Sequence, residues 1–464
     1  MEERVIENFV ERFGRRPEFV VRCPGRVNLI GEHIDYSGYG VMPMAVQQSI
    51  FAAVAVHGGS STLNLYNLDS GRYCDYTQVL DSFPIDRSSP QWFHYFLCGA
   101  RGMLEHLHGK SAPDESLNSV GMDIVLGSNL PPSAGLSSSS ALVCCAAVCT
   151  LRANTGQDFD TVDRSAIAEL CAKCERYIGT EGGGMDQAIS LLAESGMAKA
   201  IEFNPLRTRD VMVPEGACFV VSNSCVAMNK AASSHFNQRV VECRIAAQVM
   251  SKKVNVDWTT VRTLGQLQQQ LNKSLPEMAA MVKEHLHSNP YTKTEICELL
   301  DVSDEVFATK SLSQNTLHLT EFKLHQRALH VYEEAGRVRE FDEVCKERSN
   351  GEAPTKPKDN VTALRVLGDL MDQSHISCRD LYECSCPELD ELQQVAKSGG
   401  ALGSRLTGAG WGGCVVSLVH ESAANEFVEY LRSNFYKKTL ERQAAVGAAL
   451  FISPPAGGAE VKVL

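Results

Sequence analysis

The segment from Pro131 to Leu142, PPSAGLSSSSAL, constrains the fold of this chain more than any other feature. Its serine run leads directly into apolar and small residues from Ala141 to Val148, which predict a buried helix. The serines would then lie at a helix N-terminus, where backbone N–H groups have no partner inside the helix and favour an anion. The segment therefore predicts a phosphate-binding loop, and the alternative is a Ser-rich linker. It is not a Walker loop, because no Gly-Lys-Ser/Thr follows Gly135.

Length and charge limit the classes of partner. The chain has 464 residues, which suits two or three domains, and a net charge of −12. No long Lys/Arg cluster occurs, so we expect neither nucleic acid nor an anionic membrane as a partner. The N-terminus is charged and no apolar run is long enough to span a bilayer, so we expect a cytoplasmic protein.

The cysteines predict reduced, buried thiols rather than disulfides or a metal site. There are 17 of them in a long chain without an export signal. The pairs Cys171/Cys174 and Cys384/Cys386 approach the spacing of metal ligands. Neither pair has a second pair at the spacing that a zinc site needs, so we expect no zinc there.

Two regions with short β-like runs flank a helical middle. Residues 231 to 348 show helical periodicity, with a helix start at Ser274, where Glu277 completes a capping box. The polar, proline-containing residues 349–360 predict an exposed loop. The strand candidates are residues 19–23, 50–56, 122–126, 217–221 and 413–419.

A first glycine-containing segment, from Pro24 to Tyr36, concentrates charged side chains between two apolar stretches. It contains Arg26, Glu32, His33 and Asp35. Carboxylates and an imidazole can bond the hydroxyls of a sugar, whereas a permanently charged arginine suits a phosphoryl group. The alternative is a turn held by salt bridges.

A third glycine-rich segment, from Leu406 to Cys414, leads into a hydrophobic strand and is weak evidence alone. In this order, the three segments resemble the signature motifs of the GHMP family of small-molecule kinases. The first segment has the form found in the galactokinase subfamily. Residues 32–36, 175–187, 228–237, 378–389 and 403–411 are most similar to the N-acetylgalactosamine kinases of that subfamily.

The resemblance implies an α+β, two-domain GHMP kinase fold with extra helices. The N-terminal domain, residues 1–213, would be ribosomal S5 domain 2-like and carry the phosphate-binding loop. The C-terminal domain, residues 214–464, would be ferredoxin-like, with a helical insert at about 245–348.

The resemblance also implies an ATP-dependent sugar 1-kinase with Mg²⁺ as cofactor. We expect it to phosphorylate the anomeric hydroxyl of N-acetylgalactosamine, with weaker activity on galactose, and to be a monomer. The alternatives are a galactokinase proper and a non-catalytic sensor that binds galactose and ATP. The intact serine loop argues against the sensor, and residues 32–35 argue against a mevalonate or homoserine kinase.

Roles for single residues follow from the same resemblance. As catalytic residues it implies Asp186, which would accept or orient the anomeric proton, and Arg26. As sugar-binding residues it implies Arg26, Glu32, His33, Asp35, Gly183 and Asp186. As ATP-binding residues it implies Trp92, Gly135, Ser137, Ser138, Ser139, Ser140, Asn229 and Lys230. As Mg²⁺ ligands it implies Ser139 and Glu175, although the repetitive serine run leaves the exact serine open.

Two departures from the usual galactokinase pattern predict the N-acetylated sugar. Gly182 to Gly184 replace a bulkier Cys-Gly-Ile stretch, which leaves room beside C2 of the sugar. Phe236 replaces a tyrosine whose hydroxyl contacts the sugar in galactokinases, so one polar contact worth about 1 kcal/mol is lost.

Overall fold

A computed structural model describes residues 1–80, 82–109, 119–131, 133–227, 234–346 and 359–464. In these ranges no helix is long and apolar enough to cross a membrane. The strands are β1 (Phe19–Ile30), β2 (Met42–His57), β3 (Thr62–Asn67), β4 (Tyr76–Val79), β5 (Gly121–Ser128), β6 (Ala198–Glu202), β7 (Arg207–Val211), β8 (Ala217–Asn223), β9 (Tyr291–Thr292), β10 (Glu321–Phe322), β11 (Gly403–Thr407), β12 (Cys414–His420), β13 (Leu450–Ile452) and β14 (Glu460–Val463).

Helices make up much of the remainder, and short 3-10 turns connect several of them. The helices are α1 (Glu2–Phe13), α2 (Trp92–His108), α3 (Ser138–Thr155), α4 (Arg164–Cys174), α5 (Met185–Leu192), α6 (His235–Lys253), α7 (Leu264–Leu271), α8 (Leu275–His285), α9 (Lys293–Leu300), α10 (Asp304–Ser311), α11 (Leu324–Lys346), α12 (Asn360–Asp380), α13 (Pro387–Ser398), α14 (Ala424–Asn434) and α15 (Leu440–Ala449).

The chain forms two compact units, and each combines segments that are distant in sequence. The first unit comprises Met1–Val27, Met44–Ala198 and Ser453–Leu464, and the second comprises Asn28–Pro43 and Lys199–Ile452. From the sequence we expect a single boundary instead, between residues 213 and 214, and the position of that boundary stays a prediction.

The first unit contains a six-stranded sheet with the order β14-β1-β2-β5-β3-β4. The β2/β5, β3/β4 and β1/β14 pairs are antiparallel, and β3 runs parallel to β5. Helix α1 places Val5 and Phe9, four residues apart and therefore on one helix face, into a core cluster. They pack there with Val20, Phe51 and Val125 of the sheet.

Helix α3, which follows the serine run, is the buried helix that the sequence predicts. Its residues from Ser140 to Leu151 are all buried. Helix α2 packs on it closely at Gly99, because a Cβ there would lie 2.1 Å from the carbonyl oxygen of Val143. Any side chain at Gly99 would therefore push α2 away from the helix that carries the phosphate-loop serines.

The second unit combines many helices with the antiparallel sheet β11-β12-β8-β13. The predicted strands at 19–23, 50–56, 122–126, 217–221 and 413–419 are confirmed as parts of β1, β2, β5, β8 and β12, apart from Gly413, which precedes β12. Strands β1 and β2 extend well beyond the predicted residues. The predicted helix start is also confirmed, since Ser274 and Glu277 form a capping box at the start of α8. Most of the predicted loop 349–360 lies outside the described residues.

Candidate active site

The predicted phosphate-binding loop reaches α3 through left-handed backbone conformations. Ser133, Gly135 and Ser137 have φ values of 53°, 71° and 60°. The bond from the Ala141 N–H to the Ser137 carbonyl opens the helix. The N–H groups of the preceding serines are therefore in the first turn, where no helical carbonyl can accept from them. This is the arrangement that favours a bound anion.

Arg26 and Asp186 form a buried ion pair next to this loop. Arg26 lies on β1 and is 4% exposed, and its Nε donates to Asp186 Oδ1 at 2.8 Å. Its Nη1 donates to the Gly135 carbonyl at 2.6 Å, so one guanidinium joins the loop and the carboxylate. Asp186 is in the first turn of α5, which starts after Gly184 with φ of 110°, and there the helix dipole favours a negative charge.

Ser140 connects this pair to a second carboxylate. Its Oγ donates to Glu175 Oε2 at 2.7 Å and lies 3.4 Å from Asp186 Oδ2. Gln187 also donates to Glu175 Oε2. Ser140, and not the Ser139 that the resemblance implies, is therefore the serine whose hydroxyl contacts Glu175. Ser139 is half-buried in the same turn.

The donors around Ser140 fit Mg²⁺ completed by phosphate oxygens. Mg²⁺ in phosphoryl-transfer sites is held by one or two carboxylates together with substrate phosphates. Here a hydroxyl lies within 3.4 Å of two carboxylate oxygens. In the described ranges, no group of three or more His, Cys, Asp and Glu side chains could hold a metal without a ligand's help.

In the second unit, Glu32 and His33 bond the third glycine segment. Glu32 Oε2 accepts from Arg405 Nη2 at 3.2 Å and from the Gly408 N–H at 3.0 Å. His33 Nε2 lies 3.0 Å from the Ala409 carbonyl, which can only accept, so this nitrogen carries a proton. In the neutral ring, Nδ1 then accepts from the Tyr36 hydroxyl at 2.7 Å.

A buried carboxylate that the sequence analysis missed holds the backbone of the first segment. Glu334 Oε1 accepts from the N–H groups of Gly31 at 2.9 Å and Glu32 at 3.2 Å. Its Oε2 accepts from Arg337 Nε at 2.6 Å. Burial raises the pKa of Glu334, but the guanidiniums of Arg337 and Arg405 outweigh burial and lower this pKa to about 2.

His330, one turn before Glu334 in α11, also bonds the backbone of the first segment. Its Nε2 donates to the Glu32 carbonyl at 3.0 Å, and its Nδ1 accepts from Ser377 Oγ at 2.8 Å. Burial lowers the pKa of His330 to about 4, so the ring is neutral at pH 7. Both bonds join residues far apart in sequence, which explains why a local pattern did not reveal them.

The structure places the other predicted residues as follows. Trp92 is half-buried at the start of α2, where its Nε1 donates to the Cys74 carbonyl at 3.1 Å. Gly183 and Asp35 are half-buried, the first just before α5 and the second at the start of a 3-10 turn.

Phe236 packs its ring against His33, with centroids 5.7 Å apart. Asn229 and Lys230 lie outside the described residues.

Known proteins are similar to this sequence over nearly its whole length. Three family models match: the galactokinase galactose-binding signature at residues 7–56, the GHMP kinases N terminal domain at 94–194 and the GHMP kinases C terminal model at 360–437. The galactokinase of Dictyostelium discoideum is 39% identical over 94% of this chain and 88% of its own length. The chain belongs to the galactokinase subfamily of GHMP kinases. It is a sugar kinase of the galactokinase type.

A second relative agrees with this assignment, and two solved structures share the fold. The Saccharomyces cerevisiae galactokinase is 32% identical to this chain, and the match covers 98% of this chain and 93% of the yeast protein. A structure of Lactococcus lactis galactokinase complexed with galactose has a TM-score of 0.72, covers 99% of both chains and is 23% identical. The mevalonate kinase of Methanococcus jannaschii has a TM-score of 0.50 and 18% identity, and covers 96% of this chain and 98% of its own.

The comparisons confirm the two-domain GHMP kinase fold of this galactokinase-type chain. They support the prediction of a sugar kinase of the galactokinase type, but not the prediction that N-acetylgalactosamine is its substrate. The relatives carry the name galactokinase, which agrees with the alternative of a galactokinase proper better than with an N-acetylgalactosamine kinase.

Proposed function

We propose that this chain transfers the γ-phosphoryl group of ATP to the anomeric hydroxyl of galactose or a 2-substituted galactose. The observation that carries the proposal is the buried Arg26–Asp186 pair, bonded to Gly135 of the phosphate loop. Phosphoryl transfer is mainly positioning plus stabilisation of negative charge. The Arg26 guanidinium bonds both the Asp186 carboxylate and the loop that leads into the N-terminus of α3, and these groups together supply these requirements.

The nucleotide would bind by its phosphates at the start of α3. Ser137 to Ser140 and Gly135 provide N–H groups and hydroxyls there, in a loop whose left-handed residues expose the backbone. We propose that Trp92 contacts the adenine and that Asn229 and Lys230 contact the nucleotide. These three assignments rest on the family resemblance.

Mg²⁺ would be held by Glu175 and Ser140, with Asp186 nearby. This moves the metal role from Ser139 to Ser140, because Ser140 is the serine that bonds Glu175 at 2.7 Å. When bound, Mg²⁺ neutralises the charge that develops on the β and γ phosphate oxygens. Gln187 donates to Glu175 and so fixes the orientation of that carboxylate.

Asp186 would orient the anomeric hydroxyl and accept its proton late in the transfer. Its Oδ1 is occupied by Arg26 at 2.8 Å, and the guanidinium favours the ionised carboxylate. An ionised but weakly basic carboxylate suits an acceptor that acts after the bond to phosphorus has begun to form. Arg26 would also stabilise the charge on the transferring group, which is why we assign it a role beside Asp186.

Glu32, His33 and Asp35 would bind the remaining sugar hydroxyls. Glu32 and His33 are 3% and 4% exposed and already bond the third glycine segment, so their orientation is fixed before a sugar arrives. Asp35 is half-buried, and we expect it to make the most accessible polar contact of the three. Gly183 would approach the sugar through its backbone.

A preference for N-acetylgalactosamine is the narrower candidate. It is favoured by Gly182 to Gly184 and by Phe236, which presents a ring without a hydroxyl next to His33. Gly184 has φ of 110°, whereas Gly182 is outside the left-handed region, so its backbone accepts a side chain. The galactokinase names of the relatives support galactose instead.

Measuring kcat/KM for both sugars with ATP and Mg²⁺, and scoring sugar 1-phosphate, tests the proposal. Product from either sugar supports a sugar 1-kinase, and the larger kcat/KM identifies the preferred substrate. Gly182→Val should selectively lower turnover of N-acetylgalactosamine, with Gly58→Val in an open turn as the control. Binding of sugar and ATP without product would overturn the kinase in favour of a sensor.

A further inference from the structure

His33 lies at one end of a row of hydrogen-bonding side chains in the second unit. Its Nδ1 is 2.7 Å from the Tyr36 hydroxyl, which is 2.7 Å from the Tyr382 hydroxyl. The Tyr382 hydroxyl is in turn 3.2 Å from the Cys243 thiol, and both of these residues are buried. All four residues belong to the second unit. We call Tyr36, Tyr382 and Cys243 the His33 relay.

The carbonyl of Ala409 fixes the direction of the bonds in this relay. A carbonyl oxygen can only accept, so His33 Nε2, which lies 3.0 Å from it, carries a proton. In the neutral ring Nδ1 then has no proton and accepts from Tyr36. A hydroxyl has a single proton to donate, so the bond between the two tyrosines is donated by Tyr382 and accepted by Tyr36. For the same reason the Tyr382 oxygen accepts from the thiol of Cys243.

Burial keeps the proton on each donor of the relay. It raises the pKa of Tyr36 and that of Tyr382 well above the usual value of a tyrosine, and it raises the pKa of Cys243 to about 11. All three groups are therefore protonated at pH 7. Hydrogen bonds in such a row polarise one another, so the Tyr36 hydroxyl is a stronger donor to His33 when it accepts from Tyr382.

The backbone at Tyr382 is held by groups that also hold the third glycine segment. Arg239 donates from Nε to the Tyr382 carbonyl at 2.7 Å and from Nη2 to the Glu383 carbonyl at 3.2 Å. The Glu383 carbonyl also accepts from Trp411 Nε1 at 3.1 Å. Trp411 belongs to the same glycine segment as Ala409, the partner of the Nε2 nitrogen. The contacts that position Tyr382 therefore also position the groups at the other nitrogen of the imidazole.

We propose that Tyr382 is a positioning residue for His33 and acts through the hydroxyl of Tyr36. The relay holds the imidazole in one orientation, in the tautomer that has its proton on Nε2. A sugar hydroxyl would then meet His33 as an N–H donor and not as a base. The effect on the sugar rests on the proposed function, whereas the relay itself does not.

The test compares Tyr36→Phe and Tyr382→Phe with the control Tyr332→Phe. Phenylalanine removes only the hydroxyl and keeps the ring contact of Tyr382 with His33, whose centroids are 4.8 Å apart. Tyr332 is a matched control, because it is also buried in the second unit and its hydroxyl bonds the Leu264 carbonyl instead. The ¹⁵N NMR spectrum of histidine-labelled protein at mildly alkaline pH reports the bond at Nδ1, and His33→Gln assigns the signal.

Wild type should show a protonated Nε2 and an Nδ1 resonance that is shifted by the hydrogen bond. This shift should be lost in Tyr36→Phe, partly lost in Tyr382→Phe and unchanged in Tyr332→Phe. A proton on Nδ1 of the neutral His33 ring in wild type, or the same Nδ1 resonance in all three variants, would overturn the relay. The spectrum needs neither sugar nor turnover, so it decides on the relay even if the proposed function fails.

The positioning role has its own readout, the sugar KM, or the sugar dissociation constant from calorimetry if no product forms. Tyr36→Phe should raise it about tenfold and Tyr382→Phe about fivefold, with the ATP KM within about twofold of wild type. Because Tyr382 acts through Tyr36, the double variant should be no worse than Tyr36→Phe alone. Additive effects of the two substitutions, or the same sugar value in Tyr382→Phe and Tyr332→Phe, would overturn the positioning role.

Discussion

The charged clusters of the two units differ in how their carboxylates are neutralised. In the first unit, Glu175 and Asp186 converge on one hydroxyl, Ser140, and Arg26 bonds Asp186 and the Gly135 carbonyl. In the second unit, each of the two buried carboxylates around the first segment bonds a different guanidinium, since Glu32 bonds Arg405 and Glu334 bonds Arg337.

From this difference we infer that the first cluster takes part in phosphoryl transfer, whereas the second positions the residues that bind the sugar. Carboxylates that converge on a shared hydroxyl form a donor set that a cation and phosphate oxygens can complete. Carboxylates matched one-to-one with arginines form a closed network, and burying such pairs gives little net stability. The second network therefore contributes mainly geometry: it fixes the backbone of Gly31 and Glu32 and the side chain of His33.

The largest expected effect comes from the first cluster. Asp186→Asn keeps the size of the side chain but removes the proposed proton acceptor and the charge that Arg26 bonds. We expect kcat to fall by about 10²–10⁴-fold. The sugar dissociation constant, measured by calorimetry, should change much less. Asp160→Asn, at an exposed carboxylate, is the control, and near-normal turnover in Asp186→Asn would remove Asp186 from the mechanism.

A comparison of two neighbouring serines sharpens the metal assignment. Ser140→Ala removes the hydroxyl that bonds Glu175, so we expect about a 10–100-fold loss of kcat together with a higher Mg²⁺ requirement. Ser139→Ala should stay close to wild type. Titrating activity against Mg²⁺ for both variants checks this, and the opposite order of effects would return the metal role to Ser139.

Glu334→Gln tests the positioning role of the second network. Glutamine keeps an acceptor for the Gly31 and Glu32 N–H groups but leaves Arg337 without its carboxylate. We expect the sugar KM to rise about tenfold, equivalent to about 1.4 kcal/mol, with kcat and the ATP KM within about twofold.

Glu343→Gln, at an exposed position of the same helix, is the matched control for Glu334→Gln. A merely structural role would lower the unfolding midpoint without separating the sugar KM from the ATP KM. That outcome would contradict a specific role of Glu334 in positioning the sugar-binding residues.

The smallest expected effect is a pH dependence of stability. Folding lowers the pKa of His330 from 6.5 to about 4, so the neutral ring is favoured in the folded chain. The resulting stability is complete above pH 6.5 and is lost as pH falls towards 4, by an amount on the order of 3 kcal/mol. The pKa of Glu334 is also lowered, to about 2, so its contribution is lost only between about pH 4.5 and 2.

Urea unfolding at pH 7 and pH 5 separates these two groups. Wild type should lose more stability over this interval than His330→Gln does, because His330, unlike Glu334, titrates differently in the folded and unfolded states there. Burial also lowers the pKa values of His94 and His325, but both residues are present in the two proteins and their effects cancel. His106→Gln, at an exposed histidine of α2, should behave as wild type does. An equal loss in wild type and His330→Gln would show that His330 is not the responsible group.

The first cluster was largely predictable because its signals are local. The serine run and the apolar residues after it indicate a helix N-terminus from adjacent residues, whereas Asp186 was expected from the family resemblance. The choice between Ser139 and Ser140 was not predictable, since the rotation of α3 decides which hydroxyl faces Glu175.

The second network could not be predicted from local pattern. Glu334 and Glu32 are about three hundred positions apart in sequence, and α11 carries buried charges that a periodicity argument assigns to the solvent side. The unit boundaries were also hidden, because β1 supplies residues up to Val27 to the first unit and from Asn28 onward to the second.

The most direct test of the central claim is to follow wild-type protein with galactose, ATP and Mg²⁺ by ³¹P NMR. We expect the resonance of a phosphate on the anomeric oxygen of the sugar to grow together with that of ADP, and to be nearly absent with Asp186→Asn. Phosphate on another hydroxyl, or no sugar phosphate although galactose and ATP bind, would contradict it.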